Sequence, residues 1–87
     1  MDGKGRFVAM EQDHEIGEMT YFHSTAHEIT IAHTEGFPGS EGKGVGMQLL
    51  TAALEFARSK NLKVRPLCPF AKKMMDRRKE EYADVRT

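Results

Sequence analysis

Apolar and polar residues alternate along the first part of the chain, a pattern typical of β-strands with one buried face. In the clearest segment Ile29, Ile31 and His33 fall on one face, with the residues between them on the other. Short polar segments separate the strands, so the pattern predicts an antiparallel meander. The three predicted strands are residues 7–10, 15–23 and 28–34.

The spacing of apolar residues then changes to three or four, which predicts an amphipathic α-helix over residues 44–60. Asn61 follows this helix, and asparagine tolerates the left-handed conformation that often ends one. Its predicted buried stripe consists of Val45, Leu49, Leu50, Ala53, Leu54, Phe56 and Ala57.

Residues 63–70 predict a fourth strand that contains two prolines. Pro66 and Pro69 both lack the N–H that a sheet ladder needs, so we expect this strand to separate from a neighbour. A last helix is predicted over residues 71–85. An antiparallel meander followed by a strand–helix–strand unit that makes a parallel pair predicts a mixed α+β sheet. The crossover of that unit is expected to be right-handed. The fourth strand is parallel to the third, and both helices pack on the sheet.

Composition narrows the class of protein. With 87 residues the chain is long enough for one domain, residues 1–87. Its 13 basic and 13 acidic residues give zero formal charge, which argues against binding to nucleic acid or to a membrane surface. The polar residues 1–6 do not resemble a signal peptide, and no apolar stretch is long enough to span a membrane. We therefore expect a cytoplasmic protein that is a monomer or a weak homodimer.

Metal binding is not expected from the sequence. Cys68 is the only cysteine, which excludes an internal disulfide and a site with several thiolates. His27-Glu28 lacks the second histidine of a His-Glu-x-x-His zinc motif. The sequence thus offers no metal site.

A glycine-rich segment, residues 40–46, leads directly into the long predicted helix. Glycine costs a helix about 1 kcal/mol relative to alanine, so Gly42, Gly44 and Gly46 at its entrance need a reason. One reason is that a bare backbone lets an anion approach the first-turn N–H groups, which have no intrahelical partners. The other reading is a flexible loop that happens to precede a helix. The spacing fits neither the Walker loop nor the dinucleotide-binding fingerprint.

The order of three strands, a glycine loop, a helix, a strand and a helix resembles the core of the GNAT N-acetyltransferases. Their acetyl-CoA loop reads Gln/Arg-x-x-Gly-x-Gly/Ala, and residues 41–46 match it except that Glu41 stands at the first position. The chain more specifically resembles a minimal single-domain subfamily. The matching elements are His33-Thr34, the loop from Glu41 to Gly46, Cys68-Pro69-Phe70 and Glu81-Tyr82-Ala83-Asp84.

The resemblance implies an acyl-CoA N-acyltransferase fold that binds acetyl-CoA or coenzyme A as co-substrate. The pyrophosphate would rest on the amides of residues 42–46, and pantetheine would lie between the splayed third and fourth strands. Lys43 would offset the charge of Glu41, and Lys73 would meet the phosphate tail. The implied cofactor-binding residues are Thr34, Glu35, Gly36, Gly42, Lys43, Gly44, Val45, Gly46, Phe70 and Lys73.

The same resemblance implies transfer of the acetyl group to an amine of an unidentified small molecule or protein. Its catalytic candidates are Cys68 and His33, and His33 would act either as a general base for the acceptor amine or as a partner for Cys68. Cys68 either attacks the thioester with the help of His33, or only exchanges a proton with the reacting groups. The structural alternatives are an inert buried thiol and a buried, hydrogen-bonded histidine. The alternative to an enzyme is a non-catalytic CoA-binding module that acts through a protein partner.

Overall fold

A four-stranded mixed sheet organises the chain in the computed structural model, which describes residues 3–87. The first two of the polar residues 1–6, read above as unlike a signal peptide, lie outside the described residues. The elements in order are β1 Lys4–Glu11, β2 His14–Thr25, β3 Glu28–Gly36, α1 Val45–Ser59, β4 Lys63–Pro66, α2 Pro69–Arg77 and the single turn α3 Lys79–Tyr82.

The strands lie in the order β1-β2-β3-β4, with antiparallel pairing up to β3 and parallel pairing between β3 and β4. This confirms the predicted mixed sheet and its parallel third and fourth strands. Each of the first three strands is longer than predicted, because pairing continues through polar residues beyond the apolar segments. The helix α1 begins and ends within one residue of its predicted bounds, and Asn61 has the left-handed φ of 55°.

The hydrophobic core lies between one face of the sheet and the helices. The predicted stripe of α1 is confirmed, since all of its residues are buried except Phe56, which is half-buried. Phe56 packs against Phe7 and Tyr21 on β1 and β2, with ring centroids 5.5 and 5.7 Å from its own. From α2, Ala71 and Met75 join the same core. The buried sheet residues of this core are Ala9, Met19, Ile29, Ile31 and Val64.

The opposite face of the sheet is more polar. We call this the open face, and of the nine residues named at the end of this paragraph only Thr30 is buried. Arg6 forms ion pairs there with Glu15 and Glu18, with N–O distances of 2.7 and 2.8 Å. The open face includes Lys4, Arg6, Val8, Glu18, Thr20, Phe22, Thr30, His33 and Glu35.

A β-bulge in β3 corrects the predicted face of His33. Tyr21 lies opposite Ile31 and Thr20 lies opposite His33, so the intervening Ala32 has no partner in β2. One extra residue moves every later side chain to the other face. His33 therefore leaves the face of Ile29 and Ile31 and joins the open face. The expectation of a buried histidine was wrong.

The last predicted strand and helix also need correction. Strand β4 ends at Pro66, and Pro69 starts α2, where its missing N–H has no cost. The helix predicted over residues 71–85 is interrupted at Arg78, whose φ of −121° and ψ of 48° are not helical. Beyond α3 the chain returns to the sheet, because Val64 donates to Val85 and accepts from Thr87 in a short parallel bridge.

Within residues 3–87, no helix is both long enough and apolar enough to cross a membrane.

Candidate functional site

The glycine loop has a backbone that only glycine adopts easily. Gly39, Gly42 and Gly44 have φ values of 93°, 79° and 67°, in the left-handed region that side chains disfavour. Gly44 is the N-cap of α1 and supplies no side chain to cap it. The loop thus turns sharply and reaches the helix with its backbone uncovered.

Several backbone N–H groups of this loop and of the first turn of α1 have no hydrogen-bond partner among the described residues. Between residues 3 and 87, the amides of Gly42, Gly44, Val45, Gly46 and Met47 donate to no protein acceptor, and the helix ladder starts with Gln48 donating to Gly44. These unpaired donors lie at the positive end of the α1 dipole. Such an arrangement binds phosphate groups, which supports the anion-site reading of the loop.

The two charged side chains of the loop do not pair with each other. Lys43 was expected to offset Glu41, but its ammonium lies 2.5 Å from a carboxylate oxygen of Glu11 at the end of β1. Glu41 instead accepts a hydrogen bond of 3.1 Å from the amide of Gly39 within the loop. Gln48 holds the loop from the helix side by donating to the carbonyl of Lys43. No pattern along the chain indicated the Glu11 contact, which joins residues 32 positions apart.

Strands β3 and β4 separate beside the loop. Their ladder ends at the pair Ile31 and Pro66, after which the amides of Leu67 and Cys68 both donate to the carbonyl of Ile31. Residues 34–36 remain paired with β2 but have no β4 partner. The edge of β3 at Thr34, Glu35 and Gly36 is therefore available to a ligand, as the predicted splay requires.

Cys68 lies at the point of separation. Its side chain is buried, and its thiol donates to the hydroxyl of Thr34 over 3.3 Å. Cys68 is also the N-cap of α2, where the helix dipole favours an anion. The contact of the Thr34 hydroxyl could not be predicted, because uninterrupted alternation from Ile31 would have turned this side chain toward the open face.

His33 is not brought to Cys68. Its side chain is 60% exposed on the open face, whereas its neighbour Thr34 turns to the opposite face and contacts the thiol. The partner of His33 is Glu35, at an Nε2–Oε1 distance of 3.5 Å. Glu35 lies directly opposite Glu18 of β2 on the same face. The two catalytic candidates thus lie on different sides of β3.

Phe70 joins the two helices at the site. A Cβ atom added to Gly46 would lie 2.6 Å from the ring of Phe70, so the ring lies directly against the first turn of α1. This contact places Cys68 and the glycine loop on neighbouring helix ends. Lys73 is exposed further along α2 and forms no ion pair within the described residues, whereas Lys72 pairs with Asp76.

Of the candidate residues, the structure groups those of the loop, the free edge of β3, Cys68 and Phe70, and leaves His33 on the other face. Lys73 lines a shallow cavity of about 470 Å³ beside Pro69 and Arg77 on α2. In the part of the chain that the structure describes, no three His, Cys, Asp or Glu side chains are grouped as a metal site.

Comparison with known proteins points to one family. The family described as GCN5-related N-acetyl-transferase matches residues 6–85. A GCN5-like candidate N-acetyltransferase from Staphylococcus aureus, solved by NMR, is 36% identical over 100% of this chain and 83% of its own, with a TM-score of 0.72. No curated protein matches.

More distant structures share the fold over part of their length. An IAA acetyltransferase from Bacillus cereus is 22% identical over 71% of this chain and 42% of its own, with a TM-score of 0.62. An aminoglycoside N-acetyltransferase in complex with CoA is 16% identical over 88% of this chain and 67% of its own, with a TM-score of 0.63. The chain thus spans less than half of the Bacillus cereus protein.

Proposed function

Because the chain belongs to the GCN5-related N-acetyltransferase family, we propose that it binds acetyl-CoA and transfers the acetyl group to an amine of a small molecule or protein. The observation that carries the proposal is the set of unpaired amides at Gly42 and at residues 44–47. These donors lie at the start of α1, and Phe70 connects them to the place where β3 and β4 separate. A ligand with an anionic group at one end and a thioester at the other matches this arrangement, with the anion at the amides and the thioester where the strands separate.

Each part of acetyl-CoA has a suitable partner. The pyrophosphate binds the amides of Gly42 and of residues 44–47, where two negative charges meet the positive end of a helix. The pantetheine amides pair with the free edge of β3 at residues 34–36. Lys73, which has no partner carboxylate in residues 3–87, is available to a phosphate at the adenosine end. The thioester then lies near Cys68.

Two routes transfer the acetyl group. In the direct route the amine attacks the thioester carbon, the carbon–sulfur bond breaks, and the amine loses a proton as CoA leaves as a thiol. In the covalent route the Cys68 thiol loses its proton, its sulfur attacks the same carbon, and CoA leaves as a thiol. The amine then attacks the acetyl-cysteine and restores the thiol. Before either route begins, the Cys68 thiol donates a hydrogen bond to the hydroxyl of Thr34.

The acceptor amine approaches from the open face. His33 and Glu35 are exposed there at the end of β3, which supports a role for His33 as the base for the incoming ammonium rather than for Cys68. Amine attack requires the neutral form, so removal of this proton precedes bond formation. His33 thus remains a candidate base, with the acceptor as its partner.

Thermal unfolding with added ligand tests binding. At a concentration 100 times its dissociation constant, a ligand that binds only the folded state adds about 2.7 kcal/mol to the free energy of unfolding. Acetyl-CoA and CoA should both raise the midpoint. S-acetylpantetheine lacks the pyrophosphate and is the matched control, so it should shift the midpoint much less. No shift with millimolar acetyl-CoA would overturn the proposal.

Release of CoA thiol with and without a panel of primary amines tests transfer. Amine-dependent release together with an acetylated product supports an enzyme. Tight binding of acetyl-CoA without turnover on any amine supports a CoA-binding module that acts through a partner instead.

The Cys68→Ala variant separates the two routes. We expect it to bind acetyl-CoA normally and to lose most transfer activity. Intact mass after exposure of the wild type to acetyl-CoA should show one added acetyl group that Cys68→Ala lacks if the covalent route operates. Wild-type activity in Cys68→Ala would show that the thiol only fills space in the core.

A further inference from the structure

Glu11 holds the only cation of the glycine loop. The ammonium of Lys43 lies 2.5 Å from Glu11 Oε1, and the two side chains are 39% and 51% exposed. Glu11 is the last residue of β1 and is paired with His14 across the β1–β2 turn, so its backbone is fixed by the sheet. Lys43 directly precedes the N-cap of α1, within the row of unpaired amides.

This pairing directs the charge of Lys43 toward the β1–β2 turn. Glu41 is bonded to the amide of Gly39, so the charged groups of the loop together with Glu11 are two carboxylates and one ammonium. The net charge of these three groups is negative, and it opposes the approach of a phosphate group. Exposed ion pairs contribute little to stability, so a ligand with two negative charges is able to replace Glu11 as the partner of Lys43.

We propose that Glu11 lowers the affinity of the loop for the diphosphate of acetyl-CoA by competing for Lys43. On binding, Lys43 exchanges the Glu11 carboxylate for a phosphate oxygen, and the link between the β1–β2 turn and the loop is released. This inference rests on the proposed function and adds a residue outside the loop that sets the affinity of its ligand. The sequence offered no indication of this residue.

Calorimetric titration of acetyl-CoA into Glu11→Gln tests the proposal, because glutamine keeps the shape of the side chain and removes its charge. We expect binding to be tighter by about three- to fivefold, the range that an exposed ion pair allows. The gain should fade in 1 M salt, where the Debye length is about 3 Å. Glu55→Gln, on the exposed side of α1, is the matched control and should leave the affinity unchanged.

A double-mutant cycle tests whether Glu11 acts on ligand binding through Lys43. Lys43→Met should weaken binding, and in that background Glu11→Gln should change affinity by no more than about twofold, since the shared partner is gone. Equal or weaker binding by Glu11→Gln, or an unchanged gain in the Lys43→Met background, overturns the proposal.

Wild-type titration with acetyl-CoA distinguishes this failure from failure of the proposed function. If the wild type binds acetyl-CoA and Glu11→Gln binds equally well, only the inference about Glu11 fails. If the wild type binds neither acetyl-CoA nor inorganic pyrophosphate, the proposed function and the inference fail together.

Discussion

At the scale of single residues, Gly46 sets the distance between the first turns of α1 and α2. The ring of Phe70 occupies the space that a Cβ atom would need, 2.6 Å from its nearest ring carbon. Gly46 is a helical residue with no positive φ, so it is required by this contact and not by the backbone. The sequence resemblance marked Gly46 and Phe70 as separate motifs, and nothing in their spacing showed that they touch.

We predict that the effect of Gly46→Ala depends on Phe70. In the wild type, overpacking of the ring costs about 1–3 kcal/mol and exceeds the helix gain of at most about 1 kcal/mol. In a Phe70→Ala background the same change should stabilise the protein or leave it unchanged. Urea unfolding of the four proteins of this cycle measures the coupling. Equal effects of Gly46→Ala in both backgrounds would show that the ring does not occupy this space.

At the scale of elements, ion pairs attach the C-terminal segment, residues 83–87, to the rest of the domain. Arg58 of α1 donates to both carboxylate oxygens of Asp84, and Arg86 pairs with Asp76 of α2. Hydrogen bonds from Arg58 hold the pKa of Asp84 below its ordinary value, and those from Lys72 and Arg86 do the same for the pKa of Asp76. The segment lies beside β4, so its attachment completes the sheet edge.

These depressed pKa values predict a specific loss of stability in acid. A carboxylate whose folded pKa lies below its unfolded value near 3.9 stabilises the fold above that pH. The contribution is lost as the pH falls through the folded pKa. The double variant Asp76→Asn, Asp84→Asn should therefore be less stable than the wild type at pH 6 and lose less stability down to pH 3.

Urea midpoints at the two pH values measure this difference. Asp13→Asn, in the β1–β2 turn, is the control and should keep the pH dependence of the wild type, since Asp13 makes no ion pair in the described part of the chain. A double variant with the full wild-type loss in acid would contradict the prediction.

Most elements could be predicted because their signals are local. The period of apolar residues located α1, and two prolines marked the place where β4 leaves β3. The break at Arg78 could not be predicted, since the residues on both sides favour a helix and only the return of Val85 to β4 requires the chain to turn. The Glu11–Lys43 contact depends on how the sheet and loop are arranged in space, which no local pattern records.

At the scale of the whole molecule, the two faces of the sheet differ. The face toward α1 carries fully buried residues such as Ile29, Ile31 and Val64, whereas the open face retains half-buried or exposed side chains such as Val8 and Phe22. The hydrophobic core thus lies between the sheet and the helices. The alternation in β1 and β2 predicted two different faces, and the structure shows which one packs against the helices.

Two matched substitutions test this difference. Val64→Thr places a hydroxyl in the core and should lower the free energy of unfolding by about 1–3 kcal/mol. Val8→Thr makes the same chemical change on the open face and should alter it by no more than about 0.5 kcal/mol. Urea unfolding measures both. Similar losses would mean that the open face is as well covered as the core.

The extra residue at Ala32 shifts the alternation of side chains along β3 by one position. Upstream of it, odd-numbered side chains enter the core; downstream, Thr34 does so, and its hydroxyl meets Cys68. Deletion of Ala32 would therefore move all later side chains of the strand to the opposite face, although none of those residues is itself substituted. An alignment of related chains that closes a one-residue gap here would pair residues from opposite sides of the sheet. It would then assign the thiol contact to the wrong position.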